Sequence, residues 1–296
     1  MSLPKIGITA GDPSGIGPEI TRKAMTDPRV IAVCEPLYYG SEQAFAPGVL
    51  SAGAGQAAYE TIVRAVRDAQ AGGIHAIATA PINKEALALA GLPWRGHTEM
   101  LASLTNTPNV AMMFWSDTLR VVLATIHIPL ASVPAALTVE SVSGIIELTN
   151  RELPRFGIVR PRLALAGLNP HAGEHGILGT EETDVLEPAI ARCAKTGVDI
   201  SGPFPGDTIF LRAMRGEFDA VIACYHDQGL IPIKMAAFGR AVNVTLGLPI
   251  VRTSVDHGTA FDIAGRNIAD PESLVHAVLL AATLARNRSA DLQVGA

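Results

Sequence analysis

The chain has 296 residues, 48% of them hydrophobic and 17% charged, with a formal net charge of −5. That length and apolar share exclude a disordered or fibrous polypeptide and suffice for one large folded domain or two ordinary ones. Lys and Arg are scattered rather than clustered, which argues against nucleic acid or an anionic membrane as partner and for small molecules instead.

Taken in order, apolar runs alternate with amphipathic stretches, the pattern of parallel strands joined by crossover helices. Strands are predicted at Lys5 to Thr9, Ile74 to Thr79, Val110 to Trp115, Leu119 to Thr125, Arg162 to Gly167, Ala220 to Cys224 and Ala241 to Leu246. A helix is predicted from Pro18 to about Met25, because Pro at a first turn with Glu19 beside it suits a helix start. Gly48 to Gly55 reads as a plain connector, followed by an amphipathic helix from Tyr59 to Gln70 that Gly72-Gly73 stops. Val121 to Val139 lacks charge over a membrane-spanning length, but His127, Pro129 and Pro134 interrupt it, so it reads as strand, loop and helix approach. Thr180 with Glu181 and Glu182 reads as the N-cap of a helix reaching Lys195, and Asp270-Pro271-Glu272 starts the last helix. Cys34, Cys193 and Cys224 have no metal or redox spacing and read as buried thiols. No signal sequence opens the chain, so the expectation is an untargeted, soluble, cytoplasmic protein.

Four stretches could carry chemistry. In Val221 to Lys234 an apolar run breaks into Tyr225-His226-Asp227-Gln228 before Gly229, either a functional loop at the carboxyl end of a strand or a helix-capping loop that happens to be polar. Gly11 to Glu19 is a glycine-rich turn that suits either an anion at a helix start or a tight turn alone. Lys234, Arg240, Asn243 and Arg252 thread polar groups through apolar sequence, as contacts for an anionic substrate or as structural ion pairs. Ser254 to Asn267 is too polar for a strand and too rich in Gly and Ala for a surface helix, and suits a loop whose backbone approaches a ligand. Beside these, His97, His127, His171 and His226 each stand at a predicted strand end or loop start. Three imidazoles from separate loops can hold a zinc-like ion with a position left open, although each alone reads more readily as a hydrogen-bonded loop residue than as a ligand. His75, His175 and His276 read as surface positions without a role.

Together the stretches resemble the 4-hydroxythreonine-4-phosphate dehydrogenase family of pyridoxal phosphate biosynthesis. Gly-Asp-Pro-Ser-Gly-Ile-Gly-Pro-Glu, Gly-His-Thr-Glu, Thr-Ile-His-Ile-Pro-Leu, Leu-Asn-Pro-His-Ala-Gly-Glu, Tyr-His-Asp-Gln-Gly and Ser-Val-Asp-His-Gly-Thr-Ala occur in the family's order, from Pro4 to about Leu284. The first and last also look like the β-decarboxylating dehydrogenases, such as isopropylmalate dehydrogenase. The resemblance implies a two-domain α/β subunit with a mostly parallel sheet, similar to isocitrate and isopropylmalate dehydrogenases, its active site in an interdomain cleft. Residues 1–96 with 252–296 would form the nucleotide side, and 97–251 the domain with metal, substrate and dimer contacts. By position it implies His127, His171 and His226 as ligands of a divalent metal (zinc, or magnesium, cobalt or nickel). His97, Thr98, Lys234, Asn243 and Arg252 become substrate contacts, Asp207 and Lys234 catalytic groups, and His257, Gly258, Thr259, Ala260, Asp262 and Asn267 contacts for NAD, with NADP as the variant. The implied reaction oxidises the secondary hydroxyl of 4-hydroxythreonine 4-phosphate and decarboxylates the product to 3-amino-2-oxopropyl phosphate, in a homodimer that shares its active site. Relatives acting on threonate or erythronate 4-phosphate or on terephthalate cis-dihydrodiol are the alternatives, and a metal hydrolase or a silent metabolite-binding protein stands further off. The retained Gly96-His97-Thr98-Glu99 favours a phosphorylated substrate, while the chain is shorter than typical members between Tyr39 and Gly55.

Overall fold

Short β-branched and alanine-rich runs make the strands of this chain. In the computed structural model, which describes residues 2–237 and 239–294 (backbone alone from 289), they are β1 Lys5–Thr9, β2 Glu35–Tyr39, β3 Ala76–Thr79, β4 Ala111–Trp115, β5 Arg120–Leu123, β6 Leu163–Ala166, β7 Ile200–Phe204, β8 Ala220–Ala223, β9 Val242–Leu246 and β10 Val251–Ser254. The chain divides into two compact units, Met1–Val110 with Val242–Ala296, and Ala111–Ala241. This places His97, Thr98 and Asn243, expected in the second domain, in the first unit.

In the first unit the strands run β2-β1-β3-β10-β9, parallel except for the antiparallel pair β10 and β9. β1, β3 and β10 therefore end at one edge, and the loops after them meet there: Asp12 N–H donates to Pro81 O (3.0 Å) and Ile16 N–H to Thr259 O (3.0 Å). Ile62, Ile77, Leu87, Met100 and Leu101 fill the core beneath. Each such fully buried side chain is worth about 1.5–3 kcal/mol by transfer.

In the second unit the order is β4-β5-β8-β6-β7, with β4 and β5 antiparallel and β5, β8, β6 and β7 parallel. Its core joins Leu119, Val121 and Leu123 to Ala164, Val221, Ala223 and Ile233. Four adjacent parallel strands thus deliver their carboxyl ends to one edge, where ligands of open α/β sheets bind. His127, His226, His171 and Asp207 follow those four ends in turn.

Several elements differ from expectation for identifiable reasons. β2 and β7 contain Pro36 and Gly202-Pro203, which conceal a strand in sequence, and both lie at a unit's sheet edge, where a missing N–H is tolerated. β10 was hidden by its Arg and Thr. Much of the expected connector at Gly48 to Gly55 is helical instead, since Ser51 caps a helix at Ala52–Gln70 by accepting from Ala54 N–H, and a Cβ on Gly55 would meet Ala86 O at 2.1 Å. Thr180 does not cap with its side chain, and a π-turn over Glu182–Leu186 precedes the helix Glu187–Ala194. No single helix among the described residues is long and apolar enough to cross a membrane, and the segments Leu130–Ala136 and Val139–Phe156 are bent by 88°.

Candidate functional site

The histidine edge of the second unit is built by strand ends tied to one another. Ala124 N–H donates to Ala223 O (2.8 Å) and Thr125 Oγ1 to Cys224 O (2.7 Å), so the chain beyond β5 runs beside that beyond β8. The rings of His127 and His226 consequently sit 5.6 Å apart, centroid to centroid. They line a cavity of about 250 Å³ with Thr125, Leu130, Tyr225 and Asp227. The polar loop read after β8 is the first turn of a helix, His226–Ala236, and Gly229 is required inside it because a Cβ there would strike Leu123 and Val121 at 2.6 and 2.7 Å.

His226 Nδ1 lies 2.7 Å from Asp227 Oδ1. An ionised carboxylate only accepts, so Nδ1 carries the proton and Nε2 is left as the ligating nitrogen. A metal–nitrogen distance of about 2.1 Å places two imidazoles that share an ion about 5 to 6 Å apart by centroid, so this pair fits a zinc-like cation. Among the described residues no group of three or more His, Cys, Asp or Glu is gathered for a metal, so His171 does not complete a triad within one chain. Cys224 is no ligand: burial pushes its thiol up to about 12, and Sγ donates to Ala166 O at 3.2 Å.

His171 belongs to an unusual turn. Residues 171–175 all have positive φ, between 44° and 79°, and only Gly173 is glycine; His127 has φ 41°. Left-handed backbone costs an L-residue roughly 1–2 kcal/mol and persists where its surroundings over-determine it. Here the clamp is visible. Buried Glu182 accepts from Leu168 N–H and Asn169 N–H, both at 2.8 Å, and Asn169 Nδ2 donates to Glu181 (2.7 Å) and Glu182 (2.9 Å). The two glutamates read as helix-start residues therefore hold the His171 turn.

Gln228, which sequence reasoning passed over, is a second tie. Its Nε2 donates to Gly167 O (2.7 Å), its Oε1 accepts from Cys224 N–H (2.7 Å), and Gly206, next to Asp207, leaves room for it. It touches the loops that carry His171, His226 and Asp207. The signal was its place inside the Tyr-His-Asp-Gln-Gly motif. Asp207 and Lys234 are both exposed, and Lys234 lies eight residues past His226 on the same helix, about 12 Å of rise.

The first unit holds a different site. Alternation along the strands and the registers Ser254 with Thr79, Ser254 with Asn243 and Thr253 with Val244 place Thr79, Arg252, Ser254, Asn243 and Thr245 on one sheet face. Arg252 is 2% exposed, and among the described residues no carboxylate pairs with it. Its donors meet hydroxyls instead: Nε and Nη2 to Thr79 Oγ1 (3.2 and 2.8 Å) and Nη1 to Thr245 Oγ1 (3.0 Å). Burial lowers its pKa to about 9, which leaves it a cation at neutral pH. His97 Nε2 is enclosed without a partner, as is Asn243 Oδ1. Burial first, and the Arg252 charge second, hold the His97 imidazole well below its ordinary pKa, so it is neutral. Thr98 is buried beside it on the helix His97–Leu104. A buried cation beside a neutral imidazole and unpaired polar atoms is a receptor for an anion.

The Gly11 to Glu19 stretch is not that receptor. The amides of Asp12, Ser14, Gly15 and Ile16 donate to Pro81 O, Asp12 Oδ1, Asp12 O and Thr259 O, so they are used within the protein. Gly17 is needed because a Cβ would meet Ala10 O at 1.9 Å. The stretch braces the loop after β10, in which His257, Gly258, Asp262 and Asn267 are exposed, Thr259 packs against Gly15, and Ala260 and Asn267 have φ of 42° and 57°. Lys23 Nζ fixes the far end through Asn267 O (3.2 Å) and Ala269 O (2.8 Å). The segment between Tyr39 and Gly55 closes on the Gly11 to Glu19 stretch, with Gly48 N–H donating to Ser14 O (2.7 Å).

Two α/β units with polar residues at the carboxyl ends of parallel strands make an α/β fold that isocitrate dehydrogenase of Methylococcus capsulatus shares, at 19% identity and a TM-score of 0.50 over 92% of this chain and 83% of that one. The model of the pyridoxal phosphate biosynthetic protein PdxA matches residues 14–281, and the chain belongs to that family. It is 46% identical over 322 aligned positions (94% of this chain, 95% of the relative) to 4-hydroxythreonine-4-phosphate dehydrogenase of Desulforapulum autotrophicum. It is 42% identical over 96% of its length to all of the D-threonate 4-phosphate dehydrogenase of Salmonella typhimurium. The crystal structure of 4-hydroxythreonine-4-phosphate dehydrogenase from Klebsiella pneumoniae matches with a TM-score of 0.87 and 39% identity, over 96% of this chain and 98% of that one. The chain is a dehydrogenase-family oxidoreductase of pyridoxal phosphate biosynthesis.

Proposed function

We propose that the protein oxidises the secondary hydroxyl of a 4-phosphorylated hydroxy acid, 4-hydroxythreonine 4-phosphate foremost, with NAD or NADP as acceptor, and that decarboxylation follows. The observation that carries the substrate class is Arg252, a buried cation satisfied only by hydroxyls, whose missing counter-charge an acid's anionic group supplies. Neutral His97, Thr98 and Asn243 hydrogen-bond the same substrate, and Lys234 Nζ provides a second cation. His127, His226 and His171 would hold a divalent metal (zinc, or magnesium, cobalt or nickel), which supplies Lewis-acid activation of the hydroxyl. NAD, on the loop from His257 to Asn267, supplies the hydride acceptor. Lys234 Nζ and the Asp207 carboxylate are assigned the proton transfers.

A homodimer completes the metal set, with His171 and the pair His127 and His226 drawn from different subunits. Large apolar side chains exposed on the histidine-bearing segments support it: Leu130 after His127, Ile177 (78% exposed) after the His171 turn, and Met235 (82%) on the His226 helix. Three free buried cysteines fit a reducing cytoplasm. Incubation with NAD, metal and 4-hydroxythreonine 4-phosphate should produce reduced nicotinamide. The 42% identity to a D-threonate 4-phosphate dehydrogenase favours threonate 4-phosphate as the second reading, and the higher kcat/KM decides between them. Absence of NAD binding would instead point to a hydrolase, and binding of acid and NAD without turnover to a silent receptor.

A further inference from the structure

Arg252 can serve a substrate only if its guanidinium is aimed, and the groups that aim it are uncharged. Thr79 closes β3 and Ser254 closes β10, paired in register. Thr79 Oγ1 receives two N–H groups of one guanidinium, at 3.2 Å from Nε and 2.8 Å from Nη2. Arginine only donates, so the Thr79 hydroxyl must accept there and send its own proton elsewhere. Ser254 Oγ lies 2.9 Å away and takes it, while the Ser254 hydroxyl donates to Thr79 O at 3.2 Å. Thr253 O, at 3.4 Å, is the more distant acceptor open to the Thr79 hydroxyl. Thr245 Oγ1 takes a proton of Nη1 at 3.0 Å. Of the five guanidinium N–H groups, one on Nη1 and one on Nη2 remain, and they form the end-on pair that a carboxylate or phosphate accepts in bidentate fashion when Thr245 takes the Nη1 hydrogen on the Cδ side.

We propose that Thr79 is a positioning residue for substrate binding: its hydroxyl, oriented by Ser254, fixes the Arg252 guanidinium so that its two remaining N–H groups present together to the anionic group of the substrate. The proposal rests on the reading of Arg252 as a substrate contact given above. It predicts an effect of Thr79 on affinity that exists only through Arg252.

The test is a calorimetric titration of the intact protein, without NAD so that no turnover occurs, with 4-hydroxythreonine 4-phosphate and with D-threonate 4-phosphate, each of which carries both a carboxylate and a phosphate. Thr79→Val keeps the shape and removes the acceptor, and should weaken binding roughly 10-fold or more; Thr79→Ser keeps the acceptor and should stay within about 3-fold of the unmodified protein. In an Arg252→Met background the Thr79→Val effect should vanish. Thr79→Cys, whose sulfur accepts weakly, carries the same expectation if the valine variant does not fold, as judged by its circular dichroism. A Thr79→Val loss that persists with Arg252→Met, or a serine variant as weak as valine, would make Thr79 merely structural and overturn the proposal. Undiminished binding in Arg252→Met would instead overturn the substrate reading of Arg252, and the two failures are told apart by that single variant. No binding of either acid to the unmodified protein overturns both.

Discussion

The two units solve opposite problems. In the first, the polar face around Arg252 is finished within one chain: strand register lines up Thr79, Ser254 and Thr245, the guanidinium is buried, and what is lacking is one negative charge. In the second, the histidine edge is unfinished. His127 and His171 lie on turns with left-handed backbone while His226 opens a helix, the imidazole rings are partly open, and apolar side chains beside them are exposed. In the proposed reading the first receives a small anion, whereas the second is a set of loops clamped by Glu182 and Gln228 that a metal and a second subunit would complete. A site for a diffusible substrate can be built from side chains on strands, where alternation fixes direction. One that joins several loops needs extra ties.

The comparison can be broken at four points. His171→Ala should abolish divalent-metal binding and activity, a loss of 1,000-fold or more on the order of those seen when a unit-acting group is removed, while His75→Ala should change neither; equilibrium dialysis with zinc and an activity assay check both. Gln228→Met, which removes the tie between the loops of His171 and His226 without touching a ligand, should weaken metal binding by roughly 10- to 100-fold. Unchanged affinity would show that the loops hold themselves.

The third concerns pH. His97 is kept neutral when folded, its pKa held well below 6.5, by burial and then by Arg252. Below about 6.5 the unfolded chain takes a proton that the folded chain refuses, so this group makes stability fall as pH drops, by up to about 1.4 kcal/mol per unit, and contributes nothing to the slope above that range. His97→Gln should flatten the decline in urea-unfolding stability between pH 6.5 and 5. The smallest effect is at Ala172, with φ 52°. Ala172→Gly should raise the unfolding free energy by about 1 kcal/mol, because glycine relieves the left-handed strain; a loss in urea unfolding would show that the turn is relaxed.

Much of this was legible beforehand. The alternating pattern identified seven strands because their cores are uninterrupted apolar runs, and the same reading put the histidines at strand ends. β2 and β7 were hidden by the prolines that edge strands tolerate, and β10 by Arg252, whose burial no periodicity announces. The helix start at His226 was read as a loop, since a first turn can be polar all round. Thr79, Thr245, Gln228 and Glu182 were missed for a common reason: a threonine ending an apolar strand or a glutamate opening a helix has an ordinary local role, and only the sheet order shows that it faces something else. That Gly11 to Glu19 is a tight turn rather than an anion cradle was not legible, because two of its amides, Asp12 and Ile16, find partners in the loops after β3 and β10, more than sixty residues away in sequence, while Ser14 and Gly15 bond to Asp12.

The most direct test of the central claim is a single assay that follows reduced nicotinamide and released carbon dioxide together, with the metal-loaded protein, NAD and 4-hydroxythreonine 4-phosphate or D-threonate 4-phosphate. One of the two acids should reduce NAD with carbon dioxide released in equal amount, and Arg252→Met should lose the response. No reduction with either acid, under conditions where metal and acid are both bound, would contradict that claim.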